Sequence, residues 1–312
     1  MSVHELSFAS HNGRDTVKGW YYTPLDAPRG IIQLIHGFGE HSRRYLHMID
    51  RFTEAGYIVA CDDHIGHGKT GYDSGTLGDP GTSGKDAWKV YLEDEKSLHD
   101  LMKGLYPDLP YLMFGHSWGS MLARGYAAMF GADLKGLMLC GNVSQTQGLE
   151  AMCRNDDGLE EACLNGHGAE KGGRWMMEAF AGMTSRFPDA KTPNDWISKD
   201  PRIVADHAHD PFNCFNVTNQ LIYDFFRLYQ FIEAEEWAGQ VPSGLPCYLI
   251  SGDQDPCGNY GEGLYHIANR LISTGHHVEV RAYAGYRHEI HNSREIRDEV
   301  ESGLIAFADR CL

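Results

Sequence analysis

The sequence has little of what would place a chain in a membrane, on nucleic acid or in a disulfide scaffold. No apolar run approaches the roughly 20 residues that a membrane-spanning helix needs, so no integral membrane segment is expected. Met1 to Asp15 contains no apolar stretch of the secretory-leader kind, and the expectation is a cytoplasmic protein. Basic residues are scarce: 27 Lys and Arg stand against 43 Asp and Glu, a formal net charge of −16. That balance disfavours nucleic acid and anionic membrane surfaces as partners, but not a neutral lipid entering an apolar pocket. The eight cysteines form no Cys-x-x-Cys pair. Cys61, Cys140 and Cys247 fall in or beside expected strands and read as buried free thiols. Cys153 and Cys163 are near enough in sequence to meet, yet a reduced chain is the simpler reading. Repeats and low-complexity linkers are also lacking.

What is present suits an α/β protein. At 312 residues and 42% hydrophobic content, the chain can form one α/β domain with an insertion. Leu6–Phe8 and Val17–Tyr22 flank Asn12-Gly13 and predict an opening hairpin. Strands near Ile31 and Ile58 alternate with helices near His47 and Glu93, and another strand spans Gly136 to Cys140. This alternation predicts a mostly parallel, doubly wound sheet. From about Ser144 to Gln240 it gives way to helical spacing, as in Met176, Ala179-Phe180, Met183 and Phe187, or Leu221-Ile222, Phe225 and Leu228-Tyr229. It resumes at Pro246. The division expected is therefore core over 1–143, a helical lid over 144–240, and core again over 241–312.

Gly115-His116-Ser117-Trp118-Gly119 is the densest signal in the chain. It lies between a short apolar strand, Tyr111–Phe114, and a helix from Trp118 to Phe130. A serine on such a turn presents its hydroxyl, and flanking glycines admit the close backbone approach. The helix N-terminus behind it favours an oxyanion. In a glycine-rich chain the pattern alone is only moderately specific, so its partners decide.

A serine hydroxyl needs a base, and the base needs an orienting acid; this architecture orders them Ser, Asp or Glu, His. Pro246–Ile250 reads as a strand running into the polar turn Ser251-Gly252-Asp253-Gln254-Asp255-Pro256. Asp255 is favoured as the acid, because a turn begun at Gly252 needs a few residues to swing a carboxylate back. Asp253 reads as a turn-capping side chain. Val278–Tyr283 alternates like a strand and leads to His288, the candidate base, with His291 as its rival. Among 17 histidines, His288 stands out because strand, loop and chain order agree. The buried strand Ile31–Ile35 leads directly into His36-Gly37-Phe38-Gly39-Glu40. Main-chain N–H groups of Phe38 and Trp118 are the expected oxyanion donors. His36 reads as a support of this loop.

Asp62, Asp63, His64 and His67 raise a metal reading, but a structural loop beneath the active site is the better one, and no metal or cofactor is expected. His207, His209, His276 and His277 read as surface residues.

With these pieces in order, the chain resembles the α/β-hydrolase superfamily. More narrowly it resembles the monoacylglycerol lipase and lysophospholipase group of the serine aminopeptidase S33 clan. The resemblance rests on His36-Gly37-Phe38-Gly39-Glu40-His41-Ser42-Arg43-Arg44-Tyr45, Asp62-Asp63-His64-Ile65-Gly66-His67-Gly68, the Ser117 motif, Gly252-Asp253-Gln254-Asp255, and His288-Glu289 with Asn292. In the insertion it adds Trp196-Ile197-Ser198, Asp200-Pro201 and Asp210-Pro211-Phe212, the Asp-Pro pairs marking turns and helix starts. It implies the same roles for Phe38, Ser117, Asp255 and His288. Trp118 departs from the apolar residue common there, which predicts a bulkier pocket wall. The implied activity is Ser-His-Asp hydrolysis of a carboxylic ester, a monoacylglycerol or lysophospholipid first and a smaller ester second. One alternative is an S33-type aminopeptidase holding a free amine with Asp156, Asp157, Glu160, Glu161, Glu178 or Glu233. Another is a ligand receptor on a hydrolase scaffold.

Overall fold

The computed structural model describes residues 1–155, 158–213 and 215–312. Its strands are β1 (Ser2–Ala9), β2 (Thr16–Thr23), β3 (Gly30–Ile35), β4 (Tyr57–Asp63), β5 (Tyr111–His116), β6 (Leu134–Cys140), β7 (Cys247–Gly252) and β8 (Val278–Tyr283). They form one sheet in the order β1-β2-β4-β3-β5-β6-β7-β8. The β1–β2 hairpin and the β2–β4 pairing are antiparallel, and every pairing from β4 to β8 is parallel.

Burial follows from this arrangement. Strands β3 to β7 are almost continuously buried because helices cover both faces of a parallel sheet. Alternate residues feed opposite layers: Ile31 and Ile35 join one apolar cluster, Ile32 and Leu34 the other. The edge strand β1 alternates between exposed and half-buried positions.

The chain leaves β3 for β4 on one side and returns to β5 on the other. That switch point opens a crevice beyond the C-terminal ends of β3 and β5. The glycine-rich loop after β3 and Ser117 after β5 meet there.

Between β6 and β7 the described residues are helical, with only one isolated bridge, Lys171 to Thr218. Asp200 caps the helix Pro201–His209 by accepting the Arg202 N–H, with proline in the first turn. The helix Asn219–Glu233, capped by Thr218, supplies the apolar face predicted at Leu221-Ile222, Phe225 and Leu228-Tyr229. The expected periodicity over Met176–Phe187 holds only to Ala179, where the helix Gly173–Ala179 ends. Met183 and Phe187 are buried from turns instead, so their helical spacing was coincidental. No helix among the described residues is long and apolar enough to cross a membrane.

Candidate active site

Ser117 occupies the turn between β5 and the helix Trp118–Phe130 with φ 56° and ψ −120°, a conformation costly for any residue but glycine. The flanking glycines are sterically required. A methyl group on Gly115 would overlap the Gly119 carbonyl, and one on Gly119 would overlap the carbonyl of Ile35 on β3. The elbow is thus pressed against the neighbouring strand, which fixes the serine at the crevice. The Ser117 hydroxyl has no hydrogen-bond partner among the described residues, and Ser117 lines the cavity beside it.

Asp255 and His288 meet although 33 positions apart: His288 Nδ1 donates to Asp255 Oδ2 over 2.9 Å. Both are buried. The acid is itself held, its Oδ1 accepting the Cys257 N–H at 2.9 Å and its Oδ2 the Ser251 hydroxyl at 3.2 Å. Burial alone would lower the His288 pKa, but the charge of Asp255 and the neighbouring Cys257 thiol raise it well above the usual imidazole value. His288 lines the same cavity as Ser117. Asp253 instead accepts the Gly285 N–H at 2.7 Å, the turn-capping role read from its position. His291 is stacked on the Tyr45 ring, with Nδ1 3.9 Å from the Cys140 sulfur.

The loop after β3 brings Phe38 to the cavity wall, and Trp118 opens the helix behind Ser117. Among the described residues neither main-chain N–H has an acceptor. His36 supports the loop as expected, with Nδ1 donating to the Gly37 carbonyl at 2.8 Å and Nε2 accepting the His64 N–H at 3.1 Å. The Trp118 indole does not widen the cavity wall as predicted. It is 1% exposed, packed between Phe38, His64, His67 and Tyr91, because the side chain after the elbow turns back into the core.

The cavity has a volume of about 600 Å³ and is lined by two chemically distinct clusters of residues. One is apolar: Phe38, Met176, Phe180, Met183, Trp196 and Phe225. The other carries Glu40, Arg44, Glu289, His207 and Asn213. Arg44 bridges both carboxylates, at 2.6 Å to Glu40 Oε2 and 2.7 and 2.9 Å to Glu289. Burial works to raise both acids, but Arg44 at each, and the His116 hydrogen bond at Glu40, hold them well below the carboxylate range. Glu40 also accepts the Gly37 N–H and the Tyr45 hydroxyl, each at 2.6 Å, tying this charge network to the loop that carries Phe38.

Sequence reasoning missed this polar end as part of the site. Glu40 and Arg44 are four positions apart, but their partner Glu289 lies 245 positions from Arg44. Trp196, known only as part of the insertion motif, places its ring 5.0 Å from that of His288. Two surface expectations are corrected. His207 is largely buried against the polar end because its helix faces the cavity. His276 is buried where it contacts the Leu271 and Pro242 carbonyls. His209 is exposed, as expected.

Of the alternative amine-binding acids, Asp156 and Asp157 lie outside the described residues. Glu160 pairs with Lys85, Glu178 with Arg174, and Glu233 with Arg124 and His266. None of these three, nor Glu161, lines the cavity.

A family model described as serine aminopeptidase, S33, matches residues 26–295. The chain belongs to this hydrolase family. A solved carboxyl esterase from Bacillus coagulans, in complex with glycerol, is similar at 52% identity and TM-score 0.95, over 100% of this chain and 99% of that one. A structure described as a lipase in open form shares 38% identity at TM-score 0.93, covering 99% of each chain. A monoacylglycerol lipase of Mycolicibacterium smegmatis is 26% identical over 306 residues, 97% of either chain. The eight-stranded arrangement is accordingly the α/β-hydrolase fold.

Proposed function

We propose that this S33-family hydrolase cleaves carboxylic esters by acyl transfer through Ser117, with a single-chain lipid ester such as a monoacylglycerol as substrate. The observation that carries the reading is the shared cavity. Ser117, with its hydroxyl unpartnered, and the Asp255-held His288 open into one space lined by an apolar cluster and a charged one. An acyl chain suits the first. A polyol leaving group, rich in donors and acceptors, suits the second.

His288, neutral at Nε2, takes the Ser117 proton as Oγ attacks the ester carbonyl. The Phe38 and Trp118 amides stabilise the tetrahedral oxyanion; losing one such donor costs about 3 kcal/mol of barrier. His288 then protonates the leaving alcohol. Water, deprotonated by the same imidazole, releases the acid and restores the hydroxyl. Asp255 holds the tautomer and stabilises the imidazolium. Residues 144–240 act as a lid carrying most of the apolar wall.

The family description keeps an aminopeptidase in play. Two observations weigh against it: both cavity carboxylates are engaged by Arg44, and the paired acids of the insertion lie elsewhere. A p-nitrophenyl ester series of increasing chain length, with monoacylglycerols and aminoacyl anilides alongside, tests the reading. Ester turnover should rise with chain length and fall about 10⁵- to 10⁶-fold in Ser117→Ala. Dominant anilide turnover would reassign the substrate. A flat or falling series would demote it to a small ester. Fluorophosphonate labelling without steady turnover would favour a receptor.

A further inference from the structure

We propose that Asp62, His64 and Glu95 form a buried structural site for one divalent transition-metal ion, with zinc the first candidate. Asp62 lies at the end of β4, His64 follows it, and Glu95 comes from the helix Lys89–Leu105. One ligand atom from each lies within 4.8 Å of the other two. The residues are 1%, 3% and 0% exposed. None lines the catalytic cavity.

The first argument is the donor set. Both Asp62 carboxylate oxygens and Glu95 Oε1 are buried without a hydrogen-bond partner among the described residues. Leaving three such oxygens dry is costly. His64 Nδ1 lies 3.4 Å from Asp62 Oδ1 and 3.3 Å from Glu95 Oε1. These spacings are long for N–H···O bonds. They match the roughly 3.3 Å between neighbouring ligands of a tetrahedral ion with bonds of about 2.0–2.1 Å. His64 Nδ1, one Asp62 oxygen and Glu95 Oε1 offer three protein donors, one from each residue, with the fourth position left to a water. A divalent ion also cancels the two carboxylate charges, and the imidazole selects against calcium and magnesium.

The second argument is the surrounding support. The other ring nitrogen of His64 faces the His36 carbonyl at 3.3 Å, the partner that fixes a metal-bound imidazole with Nδ1 free for the ion. The second oxygen of Glu95 accepts a short hydrogen bond from Gln33, whose side chain accepts the Tyr111 hydroxyl in turn. Glu95 Oε1 is thereby aimed at His64. The neighbours suggested by sequence are otherwise engaged. Asp63 accepts the Ser42 N–H and hydroxyl and the Lys69 N–H, and His67 Nδ1 bonds the Ile65 carbonyl. An ion here would clamp β4 to the helix below and, through the stacked His36 and His64 rings, brace the loop carrying Phe38.

The test is metal content of the full-length protein, produced with zinc in the medium and gel-filtered, measured by plasma mass spectrometry. About one zinc per chain is expected, falling at least about tenfold in the near-isosteric Glu95→Gln and Asp62→Asn. The wild type, unfolded with chelator and refolded with or without zinc, should melt higher with it, whereas the variants should not respond. Should the variants not fold, wild type refolded with Co²⁺ decides: a four-coordinate visible spectrum supports the site, and its absence overturns it. A metal-free wild type with no zinc-dependent melting, or equal zinc in folded variants, would also overturn it, leaving a cluster held by protons.

Discussion

The sheet side of the cavity and its helical roof are built by different means. On the sheet side the candidate catalytic groups are held by short polar contacts and backbone packing. Ser117 is wedged by two glycines against β3, His288 is tied to Asp255, and Arg44 bridges Glu40 and Glu289. On the roof, Phe180 and Phe225 meet Phe38 by ring contacts alone, and Trp196 meets Phe180 likewise. Polar ties also join roof and core, among them the Glu289 N–H to the Ile197 carbonyl, His41 to Asp210, Thr82 to Asp224, and Arg287 to the Asp195 and Ser198 carbonyls, but the apolar wall itself is made by the ring contacts. Acyl transfer tolerates little displacement of its reacting atoms. Recognition of an alkyl chain depends on apolar area, which many shapes supply. Changes on the sheet side should therefore alter rate or folding sharply, and changes in the roof should grade the substrate preference.

The sharpest break of that contrast is Asp255→Asn. The amide preserves shape but neither fixes the productive His288 tautomer nor stabilises its cation. Turnover should fall about 10⁴-fold while the thermal melt stays within a few degrees. A drop of less than tenfold would show that the acid is not tied to the chemistry as proposed.

Next in size is Arg44→Met. It strands two buried carboxylates, and breaking such a pair costs about 3–5 kcal/mol. Denaturant titration should show that loss, and adding Glu289→Gln should recover part of it by removing one unpaired charge. A stability unchanged by Arg44→Met would mean that Arg44 does not hold the polar end together.

The two regions also differed in how far sequence reading reached them. The placement of Ser117, Asp255 and His288 at neighbouring strand ends was legible because each follows a recognisable strand, and strand order constrains where strand ends meet. Phe38 was legible for the same reason. Arg44 and Glu289 were not, since no local pattern links the segment after β3 to the one after β8. The Trp118 side chain was misplaced because periodicity gives a residue's element but not which way the side chain after a strained turn must lean. Met183 and Phe187 show the converse: apolar spacing identified buried residues but assigned turns to a helix. Glu95 escaped because a single acid in an amphipathic helix looks solvated until its tertiary neighbours are known.

A smaller effect is expected from pH. Asp255 raises the His288 pKa well above the usual imidazole value. The base must be neutral to act, so kcat/KM should fall about tenfold per pH unit below that raised pKa, with its acid limb above pH 6.5. Stability runs the opposite way. The protonated imidazole is favoured in the folded state, so its contribution is full below about pH 6.5 and lost as pH rises through the folded pKa. Paired pH profiles of kcat/KM and of denaturant stability check both signs. An acid limb centred below 6.5 would remove the raised pKa from the account.

The smallest effect should come from the roof. Phe180 is half-buried, lines the apolar end and touches Phe38, Trp196 and Phe225 through its ring. Replacing it by alanine removes apolar wall without touching Ser117, Asp255 or His288. Each methylene that loses its contact forfeits up to about 0.8 kcal/mol. The variant should therefore keep kcat/KM for an acetyl ester within about twofold and lose roughly five- to tenfold for a long-chain ester, chiefly through KM. Glu289→Gln is the matched control at the other end, where losses should be similar for every acyl length. If Phe180→Ala lowers acetyl and long-chain turnover equally, the roof is part of the catalytic geometry and the contrast between the two sides fails.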